Sequence, residues 1–120
     1  MTEEYFIGLD LGTTGIKALM CDQSGQVVTT SFQPHGLSHP KPAWAEQDPN
    51  EWARGLEAAL QDLTKKSKVE RSRISAIGLG SQIDGTVVLN NSHAAVRPAI
   101  IWMDRRAVSQ CDYIRSLIRD

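Results

Sequence analysis

The sequence has no excess of either charge, no long apolar run and little cysteine. Its 120 residues carry 13 Lys and Arg against 14 Asp and Glu, whereas nucleic-acid-binding domains show a basic excess or a basic stripe. No apolar run approaches the roughly 18–20 residues of a membrane span, and the acidic start at residues 1–4 lacks the positive charge of a secretory signal. We therefore expect a cytoplasmic protein that binds neither nucleic acid nor membrane.

The cysteines and histidines show no spacing typical of a metal site. Cys21 and Cys111 lie far apart and form no C-x-x-C motif, so we predict reduced thiols that pack in the core. His35, His39 and His93 lie in proline-rich or turn-rich segments, and we predict surface histidines without a metal role. A chain of this length can bury a core without disulfide or metal staples.

Three short β-prone runs begin the chain, at residues 5–10, 16–21 and 27–32. Residues 22–26 between the last two have the composition of a hairpin turn. Because these runs are too closely spaced for crossover helices, we predict antiparallel neighbours in one sheet.

A helix is predicted to begin after Asp48. This residue can serve as the N-cap, Pro49 suits the first helical position, and Glu51 has the spacing of a capping box. Apolar residues follow at helical spacing and predict one face packed on the sheet: Trp52, Leu56, Ala59, Leu60 and Leu63.

The second half of the chain predicts three more strands and a helix. The apolar runs at 74–79, 86–89 and 98–102 have the composition of strands, and apolar residues repeat at helical spacing over 107–118. The resulting order β-β-β-α-β-β-β-α predicts an α/β fold in which helices flank a mixed sheet.

The most informative segment runs from Asp10 to Lys17. A carboxylate ends the first strand, and the turn of residues 12–15, Gly-Thr-Thr-Gly, leads to a lysine. Glycines let the backbone approach an anion, and turn N–H groups and threonine hydroxyls can donate to its oxygens. Asp10 would repel phosphate directly, so we predict that it holds a magnesium ion or its water. Neither common nucleotide motif is present, and a plain hairpin turn remains the alternative.

Four segments in order resemble those of the FGGY carbohydrate kinases and, within them, the xylulokinase-like branch. Residues 10–17 resemble the phosphate-binding hairpin of the actin-like, sugar-kinase and Hsp70-type ATPases. Residues 44–49 resemble the W-x-E-Q-D-P segment, residues 77–85 the strand and G-Q-M-H-G loop, and residues 98–106 the P-A-I-L-W-x-D-x-R segment. The resemblance spans nearly the whole chain.

The resemblance implies an RNase H-like (actin-like ATPase) fold and transfer of the γ-phosphate of ATP, with Mg²⁺, to a sugar hydroxyl. It implies that residues 1–120 are the N-terminal part of the first kinase domain, without the rest of that domain or the second. The catalytic base and the adenine site of the family lie outside this stretch. We therefore name no catalytic residue and expect the isolated fragment to be inactive. The resemblance leaves open a homodimer of the full-length protein.

The matched segments imply roles for individual residues. Asp10 is the predicted metal-associated carboxylate, and the predicted phosphate ligands are Gly12, Thr13, Thr14 and Lys17. The predicted sugar-binding residues are Gln82, Ile83, Asp84, Asp104 and Arg106.

The sugar loop departs from the xylulokinase pattern, because Ile83-Asp84 replaces Met-His. A carboxylate only accepts hydrogen bonds, whereas histidine can donate, so the sugar could differ from xylulose. Other ketoses and polyols follow as candidates. For Asp84 a turn residue is the alternative interpretation, and for Asp104 and Arg106 a structural ion pair.

The tryptophans are predicted to have mainly structural roles, and two other classes of function remain as alternatives. We predict core packing for Trp52 and Trp102, with stacking near the sugar as the alternative for Trp102, and a loop anchor for Trp44. A non-catalytic nucleotide-binding module of the actin/Hsp70 superfamily is the first alternative function. A sugar-responsive regulator without kinase activity is the second.

Overall fold

Two small sheets and two α-helices make up the described part of the chain, residues 3–118 of a computed structural model. In chain order the elements are β1 (Tyr5–Leu11), β2 (Gly15–Asp22), β3 (Val27–Pro34), β4 (Glu46–Gln47), α1 (Pro49–Ser67), a 3₁₀ turn (Arg71–Arg73), β5 (Ile74–Ser81), β6 (Ala99–Ile100) and α2 (Val108–Leu117). Neither α-helix has the length and apolar character needed to cross a membrane.

The main sheet has the strand order β3-β2-β1-β5. β1, β2 and β3 pair antiparallel in sequence order, which confirms the prediction made from their close spacing. β5 pairs parallel with β1 after the chain has crossed over through α1. The sheet is therefore mixed, as predicted.

One face of this sheet is covered by α1, and the core lies between them. Alternate side chains of β1 and β2 point towards the helix, where Ala59 and Leu63 are fully buried. Leu56 and Leu60 pack at the edge of this core, which confirms four of the five residues of the predicted helix face, whereas Trp52 is half-buried outside this core. The side chains between these alternate positions, including Asp10 and Lys17, lie on the opposite face of the sheet.

The start of α1 is confirmed in part. Asp48 is the N-cap, its carboxylate accepts from Asn50 N at 2.9 Å, and Pro49 is the first helical residue. The capping box is wrong, because Glu51 Oε2 instead accepts from Gly36 N at 2.9 Å. The glutamate therefore anchors the preceding loop to the helix.

The strand predicted at 86–89 is wrong, and the one at 98–102 is too long. Thr86 and Leu89 form only isolated bridges, and β6 retains two residues, which pair with β4 in a second sheet. The side chain of Asn90 accepts from Ser92 N and Ala94 N. Such local side-chain bonds compete with strand pairing.

β5 and α2 are only lightly covered within the described residues. Ile77 and Leu79 are more than half exposed, and α2 has no buried residue. Cys21 is half-buried, but Cys111 is exposed, so the core packing predicted for Cys111 is wrong. Cys111 lies on α2, which buries no residue, while α1 packs against β1, β2 and β3 and leaves β5 open.

Ala43 adopts a left-handed backbone conformation, with φ of 66°. The carbonyl of this residue accepts from Arg105 N at 2.8 Å, which holds the conformation in place. Because a Cβ is disfavoured there by about 1 kcal/mol and glycine is not, we expect Ala43→Gly to raise the free energy of unfolding by about 0.5 kcal/mol after the entropy cost of glycine. Urea denaturation of the full-length protein measures it.

Ala53→Gly is the matched control, because Ala53 is exposed within α1. There glycine is expected to lower the free energy of unfolding by about 1 kcal/mol. Equal losses at both positions would contradict the strain assigned to Ala43.

Candidate functional site

The turn between β1 and β2 is tight and closely packed against β3. Gly12 N donates to Gly15 O at 3.0 Å, which closes the turn. A Cβ on Gly15 would lie 2.6 Å from Gln33 O and 2.7 Å from the ring of Phe32. Only glycine fits at this position, so the close approach explains the second glycine of the motif.

Asp10 and Lys17 face each other across the β1–β2 ladder. Both side chains are exposed, and neither takes part in an ion pair or side-chain hydrogen bond within residues 3–118. Together with Leu19 and Phe32 they line an open cavity of about 840 Å³. A free carboxylate and a free ammonium group therefore lie beside the turn, on the face away from α1.

Gln47 connects the turn to the loop after β5. Its buried amide nitrogen donates to Thr13 O at 2.7 Å and to Gly36 O at 3.0 Å. Its Oε1 accepts from Gln82 Nε2 at 2.9 Å. The predicted phosphate turn and the first residue of the predicted sugar loop are thus joined through one side chain that the sequence analysis did not single out.

His35 adds to the same network. Its Nε2 lies 2.9 Å from Gly12 O, and its Nδ1 lies 3.3 Å from Gln47 Nε2. The prediction of a surface histidine is wrong here, because the ring is half-buried beside the turn. The 23-residue separation between His35 and Gly12 leaves no local sequence signal for this contact.

Trp102 is also placed differently from the prediction. Its ring is 46% exposed rather than packed in the core, and its Nε1 donates to Thr13 Oγ1 at 2.9 Å. The indole therefore brings the segment after β6 against the phosphate turn. The prediction of a core position followed from the apolar run around this residue and overlooked the indole N–H.

Asp104 and Arg106 form an ion pair with a 2.7 Å contact. Arg106 also contacts Glu46 Oε1 at 2.7 Å, and it lies 3.6 Å from the ring centroid of Trp44. Asp104 Oδ2 accepts from Ala45 N at 2.7 Å. These contacts favour the alternative of a structural ion pair and agree with the predicted role of Trp44 as a loop anchor.

The bonds from Arg106, and then the backbone bond from Ala45, hold the pKa of Asp104 well below its usual 3.8. A carboxyl group with a depressed pKa stabilises the fold above its unfolded pKa, and this contribution is lost as the pH falls towards the folded value. The ion pair is therefore intact throughout the neutral range.

Ile83 and Asp84 lie in the exposed loop after β5. Asp84 has a left-handed backbone, with φ of 58°, and its carboxylate makes no side-chain hydrogen bond to any residue from 3 to 118. Ile83 is 72% exposed. Both side chains are available to a ligand, and their assignment to the sugar stays a prediction.

The described residues include no group of three His, Cys, Asp or Glu side chains placed to hold a metal. Among residues 3–118, Asp10 is the free carboxylate beside the turn. Magnesium commonly binds through one or two carboxylates together with phosphate oxygens and water, and one exposed aspartate beside a phosphate turn fits that mode of binding.

Comparisons with known proteins agree on one family. The family model described as "FGGY family of carbohydrate kinases, N-terminal domain" matches residues 5–120. The chain is 32% identical over 113 residues to a xylulose kinase of Klebsiella pneumoniae, covering 94% of this chain and 23% of that protein. It is 37% identical over 115 residues to a glycerol kinase of Petrotoga mobilis, again covering 94% of this chain and 23% of that protein.

Solved structures give the same result. A xyloylose kinase from Brucella ovis superposes with a TM-score of 0.88 at 34% identity, covering 94% of this chain and 24% of that one. A gluconate kinase from Lactobacillus acidophilus gives 0.89 at 28% identity, with coverage of 97% and 23%. The chain spans about a quarter of the length of these relatives.

Proposed function

This chain belongs to the FGGY family of carbohydrate kinases, and we propose that the protein of which it is part transfers the γ-phosphate of ATP to a hydroxyl of a sugar. Its mixed sheet has the RNase H-like, actin-like ATPase fold of the kinases on which it superposes, as predicted. The observation that carries the proposal is the tight turn of residues 12–15, with free Asp10 and Lys17 beside it and Gln82 tied to it.

In this proposal the turn binds phosphate. Gly12, Thr13 and Thr14 offer backbone N–H groups and hydroxyls, and Lys17 supplies positive charge. Phosphoryl transfer depends mainly on positioning and charge neutralisation. These residue types, held on a closed turn, provide both.

Magnesium is part of the proposal through Asp10. The carboxylate would hold the ion together with phosphate oxygens and water, and the bound ion would supply further charge neutralisation. Asp10 lies near the end of β1 and forms no ion pair or side-chain hydrogen bond with any residue from 3 to 118.

The sugar is proposed to lie against the loop of Gln82, Ile83 and Asp84. Asp104 and Arg106 stay the other predicted sugar ligands, although their contacts favour a structural ion pair. Ketoses such as xylulose are the favoured class of substrate, because xylulose kinases are prominent among the relatives. A glycerol kinase is also among them, so polyols come second. We place the whole enzyme in the cytoplasm and expect the 120-residue piece alone to be inactive.

A substrate screen tests this function. Full-length protein with MgATP and a panel of ketoses, aldoses and polyols is expected to release ADP above the sugar-free rate with at least one ketose. ADP release that no sugar or polyol stimulates would overturn the proposal and favour the non-catalytic nucleotide-binding module.

Asp84 is expected to set preference within that panel. Asp84→His introduces a donor where the native residue only accepts, so the ratio of kcat/KM values between two sugars should shift about tenfold. The fold should persist, because histidine tolerates a left-handed backbone better than most residues.

His93→Asp is the control, since His93 also has a left-handed backbone, with φ of 60°, and lies in an exposed turn. Its substrate profile should equal that of the unmodified protein. An unchanged profile for Asp84→His would return Asp84 to the role of a turn residue.

A further inference from the structure

The amide of Gln47 has only one chemically sensible orientation. Its nitrogen lies 2.7 Å from Thr13 O and 3.0 Å from Gly36 O. Backbone carbonyls only accept, so the group that faces them must be the donor NH₂. The opposite orientation would place an oxygen against two oxygens inside the protein, without compensating bonds.

This orientation determines that of Gln82. Gln47 Oε1 faces Gln82 at 2.9 Å, so Gln82 must direct its own NH₂ there. Its backbone N–H donates to Leu11 O at 2.8 Å, which holds the residue in place. The side-chain oxygen of Gln82 therefore points away from Gln47.

That oxygen is buried and has no hydrogen-bond partner within residues 3–118. A buried acceptor without a donor costs about 1–3 kcal/mol, and native proteins rarely leave one unpaired without a reason. Gln82 lies between the phosphate turn and the exposed loop of Ile83 and Asp84. A donor that arrives with a ligand would satisfy it.

His35 agrees with the same pattern of donors and acceptors. Its Nε2 faces Gly12 O at 2.9 Å and so carries the proton, which leaves Nδ1 as an acceptor. Nδ1 lies 3.3 Å from Gln47 Nε2, whose two protons point to Thr13 O and Gly36 O, so this longer contact shares one of them. The turn, His35, Gln47 and Gln82 thus form one consistent chain that ends in an unpaired acceptor.

We propose that Gln47 is a positioning residue that orients the amide of Gln82, and that Gln82 Oε1 accepts a hydrogen bond from a sugar hydroxyl. This inference rests on the proposed kinase function and deepens it. It states the polarity of the contact: the substrate must present an O–H donor at this point. It also gives a path from Thr13 at the phosphate turn to the sugar.

Gln82→Glu in the full-length protein tests the polarity. When ionised, the introduced carboxyl group opposes Gln47 Oε1 with a second acceptor. When protonated, it donates to Gln47 and still offers a carbonyl to the sugar, which restores the native pattern. The facing oxygen and burial both raise the pKa of the introduced group above the usual value of about 4.3.

The measured quantity is kcat/KM for the sugar, as the ratio of variant to unmodified protein. This ratio should rise at least tenfold as the pH falls from about 8 to about 5.5. His35 faces Gln47 and is present in both proteins, which are compared at the same pH. Gln61→Glu is the control, because Gln61 Nε2 also donates to a side-chain oxygen but lies exposed on α1, and its ratio should stay flat.

Gln47→Leu tests the positioning role. With the amide of Gln82 free to rotate, KM for the sugar should rise about tenfold, and more than KM for ATP, which also rises because the bond from Gln47 Nε2 to Thr13 O is lost. Equal increases in both constants would show a merely structural role and overturn this part of the inference. The pH dependence of kcat/KM is measured on Gln82→Glu, so it does not depend on how well Gln47→Leu folds.

Two results separate the inference from the proposed function. A flat pH ratio for Gln82→Glu in an otherwise active kinase would overturn the orientation that Gln47 imposes on Gln82, and with it the hydroxyl contact, and would leave the kinase function standing. An unmodified protein without sugar-dependent ADP release would overturn the function itself, and the contact with it.

Discussion

Asp10→Asn is expected to lower kcat of the full-length protein at least about a thousandfold, which corresponds to about 4 kcal/mol of lost transition-state stabilisation. The substitution keeps the shape of the side chain and removes its charge. Because the native carboxylate is exposed and forms no ion pair within residues 3–118, its charge adds little to the fold. Thermal stability should therefore stay unchanged while turnover with MgATP and sugar is lost.

Asp22→Asn is the control and should have the opposite effects on stability and kcat. Asp22 ends β2 at the other end of the same hairpin. Ser24 and the backbone N–H of Gln26 donate to its carboxylate and hold its pKa below the usual range. This variant should lose stability and keep its kcat. Asp10→Asn with kcat within tenfold of the unmodified value would contradict the catalytic role of the Asp10 charge.

Local sequence signals were sufficient for the main sheet and α1. The short spacing between the first three strands decided their antiparallel pairing, and the Asp48-Pro49 pair located the start of the helix. Both signals act over a few residues, where spacing and backbone preference determine the structure directly. The mixed α/β sheet was predicted from these signals and from the order of the elements, whereas the RNase H-like fold was implied by the family resemblance.

Local sequence signals could not predict the polar contacts of the site. Trp102 reaches Thr13 across 89 residues, and Gln47 reaches Gln82 across 35. Such contacts depend on where the crossover through α1 places β5 beside β1. A pattern of apolar spacing therefore assigned Trp102 to the core, and proline-rich surroundings assigned His35 to the surface.

The two residues of β4 join the two halves of the site. Successive side chains of a strand point to opposite sides, and here Gln47 bonds to the phosphate turn while Glu46 bonds to Arg97 and Arg106. Both residues are buried. The segment that carries Trp102 and the turn that Trp102 contacts are therefore both held by this short strand.

Glu46→Ala is expected to lower the free energy of unfolding by about 3 kcal/mol, near the lower end for breaking a buried ion pair. Its carboxylate accepts from Arg97 and Arg106, each at 2.7 Å, and its side chain is only 8% exposed. Arg97 can regain water and Arg106 keeps Asp104, which limits the loss. Because the segment of Trp102 loosens at the same time, KM for the sugar should also rise. Urea denaturation and steady-state kinetics of the full-length protein measure the two effects.

Glu57→Ala is the matched control, since Glu57 is exposed on α1 and, within the described residues, its carboxylate accepts only from Gln61. Alanine is a good helix former, so this variant should stay within about 0.5 kcal/mol of the unmodified protein. A loss for Glu46→Ala no larger than that of the control would show that Arg97 and Arg106 do not need this carboxylate. In that case β4 would hold the Trp102 segment against the phosphate turn through the bonds of Gln47 alone.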